Sequence, residues 1–210
     1  MREIEYFYSA HSAYAYLGAR RLGEVCADAG ARLVHRPYLL SPVVEAVGSL
    51  PFASRSRAHV DYFFGRELER WSAIRKAPIV NHRPTHHDNP LELPNGFLIA
   101  ADLSGADIDA LSFAVLERHW RYDADIADEA TLADIAKTCG VDPARLLDRA
   151  LSEEVQAIHR ANTQAATDRS VFGSPTYILN GDPFYGQDRL EMLEMALKGD
   201  IPAPAGFHNP

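Results

Sequence analysis

The run IEYFYSAHSAYAYLGARRLGEVCADAGARLVHRPY, residues 4–38, decides the architecture. Ile4-Glu5-Tyr6-Phe7-Tyr8 is a short β-branched and aromatic stretch, which predicts a strand central in its sheet. Ser9-Ala10-His11-Ser12 breaks that pattern. From Ala13 onward Tyr14, Gly18, Leu22, Val25 and Ala29 share one helical face, and Gly30 supplies the stop. Residues 32–38 alternate again and predict a second strand, which Pro37 takes out of the sheet. The connection is long enough for a right-handed crossover, so the two strands are expected to be parallel neighbours.

Beyond this opening, residues 43–170 carry almost no strand signal. Helical periods run over 62–76, 91–103, 108–122, 132–139, 143–151 and 153–168. Gly140 ends one of these helices, Asp142-Pro143 opens the next, and Ser152-Glu153-Glu154 caps the last. Residues 77–90, with His82, His86, His87 and Asp88, are flanked by prolines and predict an ordered loop. The sheet then returns. Strands at 176–179 and 182–185 flank Asn180-Gly181, a signal for a tight antiparallel hairpin, and 187–198 closes as a helix with Leu190, Leu193 and Leu197 on one stripe. The expected fold is α/β: β-α-β, a long helical block, then β-β-α. Its divisions are residues 1–42, 43–170 and 171–210, the first and last being halves of one domain.

Composition excludes several classes. The 210 residues are 47% apolar and 24% charged, which fits a globular chain with a sizeable core. A net charge of −8 argues against a nucleic-acid or anionic-membrane binder. No window approaches the roughly 18 consecutive apolar residues of a membrane span. Glu3 and Glu5 precede Tyr6 where the apolar part of a secretory leader would start, so a cytoplasmic protein is expected. Cys26 and Cys139 are the only two cysteines and form no CxxC, which rules out a disulfide framework or a cysteine zinc site. Both read as core residues. The histidine-rich loop lacks a helical i, i+4 pair, so no metal site is expected.

The element order is that of thioredoxin-like domains with helices inserted between the halves, as in the DsbA family, and three runs sharpen the match. FYSAHSAYAYL (residues 7–17) resembles the FDF-x-S-P-Y-x-Y-L opening of 2-hydroxychromene-2-carboxylate isomerases and kappa-class glutathione transferases. VFGSPT (171–176) resembles their VFGVPT, and FYGQDRL (184–190) their F-W-GQDRL. Glu67-Leu68-Glu69-Arg70-Trp71 matches more loosely, and the likeness extends over essentially the whole chain.

The resemblance implies glutathione as the cofactor and Ser12 as the catalytic residue. Ser12 stands where redox relatives carry the first cysteine of CxxC; Ser12-Ala13-Tyr14-Ala15 holds no sulfur, so dithiol exchange at that site is impossible. What remains is the start of a helix, where free N–H groups and the dipole suit another molecule's thiolate and a hydroxyl can donate to it. By itself Ser12 reads as an ordinary N-cap, and the other two runs beside it tip the reading towards the ligand. Ser174-Pro175 is implied to be a cis-proline loop whose backbone pairs with the tripeptide, although Ser174 replaces the family's usual valine. Gln187 and Asp188, opening the last helix, are implied to bind its γ-glutamyl end; an acid there is also simply good dipole chemistry.

Substrate residues depart from the family. Its lysine in K-A-T-G-N, expected to hold a substrate carboxylate, corresponds to Glu45 in Glu45-Ala46-Val47-Gly48-Ser49, with Ser49 for the asparagine. Arg55, Arg57 or Arg83 are the cations available to replace it. His11 is an extra imidazole beside the site, either a proton shuttle or packing at its mouth. The resemblance thus implies a glutathione-dependent isomerase that acts on an aromatic-derived 2-hydroxychromene-2-carboxylate-like substrate by reversible thiolate addition. The alternatives are a kappa-type transferase, which Glu45 favours, and a non-catalytic thioredoxin-like binding module. A small-molecule partner follows, with a homodimer as a further expectation.

Overall fold

The computed structural model describes residues 2–202. Strand β1 (Arg2–Tyr8) leads into helix α1 (Ala13–Ala29) and parallel strand β2 (Ala31–Pro37), pairing Tyr6 with His35 and Tyr8 with Pro37. After the helical block, β3 (Thr176–Leu179) runs antiparallel to β1, and β4 (Asp182–Tyr185) antiparallel to β3. The sheet order is β2-β1-β3-β4, which places β1 inside as its apolar run requires. Asn180 and Gly181 both take positive φ (52° and 85°), the conformation a two-residue hairpin turn demands. Element order, parallel opening and hairpin agree with the expectation.

Alternation along β1 sorts the core into two faces. Ile4, Tyr6 and Tyr8 pack with α1 and with α10 (Leu190–Lys198). Phe7 joins Tyr38, Val43, Ala166, Val171 and Ile178 on the other face. Between β2 and β3 lie α2 (Leu40–Ala46), α3 (Arg57–Val60), α4 (Glu67–Arg75), α5 (Glu92–Ser104), α6 (Ile108–Tyr122), α7 (Glu129–Thr138), α8 (Pro143–Ala150) and α9 (Glu153–Asp168). Asp107, Asp128, Asp142 and Ser152 cap α6 to α9, each accepting from an amide of the first turn.

Three details differ from the sequence reading. Helix α2 was not expected, because Pro42 within seven residues masks its period; the proline sits in the first turn, where no amide is needed. The helix expected at 62–76 is α3 and α4 joined by a wide π turn over Asp61–Arg66. The closing helix begins as a 3-10 turn, Gln187–Arg189, before α10. No helix among the described residues is long and apolar enough to cross a membrane.

Candidate active site

Two loops distant in sequence meet at Ser12. Its hydroxyl oxygen accepts from the Ala15 N–H at 3.2 Å, the capping bond, and its proton is donated to the Ser174 carbonyl at 3.1 Å. The Ser9 N–H donates in turn to the Ser174 hydroxyl at 3.1 Å. The Ser174–Pro175 peptide is cis, and the Gly186 N–H donates to the Pro175 carbonyl at 2.9 Å, which sets the turn carrying Asp188 alongside. Capping and ligand contact are therefore not rival roles: the cap uses a lone pair and leaves the O–H free to choose its acceptor. Of the first three helical amides, only that of Ala15 is capped by Ser12; those of Ala13 and Tyr14 have no partner in the turn itself. The helix start adds roughly half a positive charge.

The turn after β4 behaves differently at its two expected ligand positions. Gln187 is 1% exposed, its Oε1 accepts from Arg75 Nε at 2.8 Å, and its backbone carbonyl accepts from the same guanidinium at 3.0 Å. Its Nε2 is buried without a partner. Gly18 permits this close approach: a Cβ there would stand 2.6 Å from the Gln187 Cβ. The Gln187 acceptor is taken up by Arg75, so its unpartnered Nε2 is the group left for the γ-glutamyl contact expected of it. Asp188 is the outward member, 41% exposed and paired with Arg189 at 3.0 Å. It is among the charges that raise the Tyr14 and Tyr185 hydroxyls, after burial, so it lies near both.

His11 heads a chain of imidazoles. Its Nδ1 lies 3.0 Å from the Ser9 hydroxyl and its ring 4.6 Å from that of His87. His87 Nδ1 is 2.9 Å from His119 Nε2, and His119 Nδ1 is 3.2 Å from the Ala124 carbonyl. A carbonyl only accepts, so His119 carries its proton on Nδ1 and receives one from His87. Burial pushes His11 down to about 3 and His87 to about 2. A group so far below neutrality is a weak base at pH 7, which favours packing over proton transfer for His11. Glu45 is exposed near the end of α2 and Ser49 is half-buried beyond it; neither side chain bonds to Ser12 or Ser174. Cys26 is buried, its thiol pushed up to about 11 by desolvation. Among the described residues no group of three or more His, Cys, Asp or Glu could hold a metal ion.

The supports of the site escaped the sequence reading. Asn95, fully buried on α5, accepts from the Ala10 N–H at 3.0 Å and donates to the Tyr38 carbonyl at 3.1 Å. The same carboxamide meets His159 Nε2 at 3.0 Å. Trp120 Nε1 donates to the His11 carbonyl at 2.8 Å, and the Tyr14 hydroxyl donates to the Phe63 carbonyl at 2.6 Å. A lone Asn amid the apolar α5 was the one signal in reach.

The chain as a whole is similar to known proteins. The family model described as DSBA-like thioredoxin domain matches residues 3–198. The 2-hydroxychromene-2-carboxylate isomerase of Pseudomonas putida is 26% identical over 197 residues, covering 92% of this chain and 93% of that one. Glutathione S-transferase kappa 1 of Rattus norvegicus is 25% identical over 207 residues, covering 93% and 91%. A solved structure of 2-hydroxychromene-2-carboxylate isomerase superposes with a TM-score of 0.80 at 26% identity, covering 94% of this chain and 95% of its own.

Proposed function

The chain belongs to the family of DSBA-like thioredoxin domains, and from that premise we propose that it is a glutathione-dependent isomerase of a conjugated, aromatic-derived keto acid. The observation that carries this reading is the Ser12 hydroxyl, set at a helix start and facing the cis-proline loop at 3.1 Å. Relatives named as isomerases and as a kappa transferase support it. The groups present fit the tripeptide. Ser12 offers a movable proton, Ala13 and Tyr14 offer amides, and Asp188 offers an exposed carboxylate for an α-ammonium.

When bound, glutathione supplies a thiolate able to add reversibly to a conjugated carbonyl compound and leave again, so that rotation occurs about a former double bond. Ser12 turns its O–H from the Ser174 carbonyl towards the sulfur while keeping its capping bond to Ala15. The Ser174 carbonyl is then free to accept a peptide N–H in its place, so no hydrogen bond is lost in the exchange. Ser174 further holds the loop through its hydroxyl, which takes the Ser9 N–H. Titration calorimetry with reduced glutathione tests the proposal: wild type binds, and Ser12→Ala weakens binding at least tenfold. Equal affinity in the two proteins, or none in either, refutes it. A kappa-type transferase would use the same residues, and product analysis separates the two, because an isomerase returns glutathione and a transferase consumes it.

A further inference from the structure

We propose that Arg55 is the specificity-determining residue of this site, selecting flat conjugated substrates that carry a carboxylate. The inference rests on the functional reading above and adds a receptor for the second substrate. Of the three arginines open to that role, Arg57 is held by Asp61 at 2.7 Å and Arg83 by Asp88. Arg55 has no carboxylate partner among the described residues; its Nε reaches only the Leu50 carbonyl, at 3.4 Å. Its guanidinium lies 4.3 Å from the centre of the Phe52 ring and 5.6 Å from that of Phe64. Stacking fixes the plane of the fork while leaving its terminal N–H groups unspent, an arrangement suited to bidentate capture of a carboxylate.

The position ties Arg55 to both sides of the site. Phe64 meets Phe63 edge-on at 5.1 Å, Phe63 meets Tyr14 at 4.9 Å, and Tyr14 stands two residues after Ser12. The Arg55 charge is also among those that act on the Tyr185 hydroxyl, lowering it against the larger effect of burial. The Tyr185 ring covers Gly173, where a Cβ would stand 2.7 Å from it, and Gly173 precedes Ser174. Phe172 and Tyr185 are 48% and 45% exposed, so aromatic surface is open beside the loop that carries Ser174. An aryl or enone plane finds rings to lie against, and its carboxylate finds, of Arg55, Arg57 and Arg83, the one fork without a carboxylate partner among the described residues.

The test titrates cinnamate and its neutral isostere cinnamamide, with and without saturating glutathione, into wild type, Arg55→Gln and Arg55→Lys. Wild type should prefer cinnamate by about tenfold. Arg55→Gln should abolish the preference, and Arg55→Lys should restore part of it. Glutathione affinity, measured separately in all three, should not change. No preference in wild type overturns the proposal. So does a loss of glutathione affinity in Arg55→Gln, which would assign the arginine to a carboxylate of the tripeptide instead. Failure of the functional reading looks different: glutathione binds to no variant, whatever cinnamate does. Matching thermal melts show that the substitutions have not disturbed folding.

Discussion

Asn95 illustrates how one side chain can govern a site it does not enter. Its carboxamide joins the loop before Ser12, the end of β2 and, through His159, helix α9. Asn95→Ala strands three buried groups at once, and each unsatisfied partner costs about 1–3 kcal/mol. A total loss of about 3 kcal/mol is expected, with water replacing part of the network. For a chain of this size that lowers Tm by roughly 6–12 °C, measurable by calorimetry. A change under 2 °C would show that the network contributes little. At this scale the sequence was partly legible. Ser12, Ser174 and Pro175 were picked out by runs resembling a known family, and the structure brings Ser12 and Ser174 together across a cis-proline turn. Asn95, Trp120 and Arg75 could not, because their importance lies in partners dozens of positions away and no local pattern records such a pairing.

Among elements, the turn between β4 and α10 combines a positive φ with a close approach. Gly186 has φ +99°, and a Cβ there would stand 2.4 Å from the Asp188 carboxylate. Gly199, closing α10, also has positive φ (+84°) but open space around it. The pair makes a controlled comparison. Gly199→Ala should cost about 1 kcal/mol and leave glutathione affinity alone. Gly186→Ala should cost more, about 2 kcal/mol, and should weaken glutathione binding as the Asp188 carboxylate is pushed aside. Denaturant melts and calorimetric titration read the two effects separately. Equal behaviour of the two variants would remove Asp188 from the site. Here the sequence spoke plainly on strand pairing, since Asn180-Gly181 and the aromatic alternation of β1 are local signals. It was silent on the π turn at Asp61–Arg66, which is read only from where Phe63 and Phe64 must pack.

At the scale of the whole molecule, buried histidines set the response to acid. Burial lowers His11, His87, His119 and His159 below their ordinary value. The unfolded chain takes up protons on these groups near pH 6.5, whereas the folded chain does so only well below that. The unfolded state therefore binds more protons, and stability rises with pH across the interval. The contribution is complete above about pH 6.5 and is lost progressively as the pH falls towards the folded values. Urea midpoints should decline steadily from pH 6.5 to 4.5, before most carboxylates titrate. A flat profile over that interval would contradict the burial of these imidazoles.

The bond between Ser12 and Ser174 spans 162 positions. During synthesis the first partner leaves the ribosome on the order of 10–30 s before the second. Every truncated or stalled product ending before β3 therefore carries Ser12 without its counterpart. The same separation makes the chain suited to division: two fragments cut at the exposed residues 81–83 would hold Ser12 and Ser174 apart. Glutathione binding recovered on mixing would then report their association.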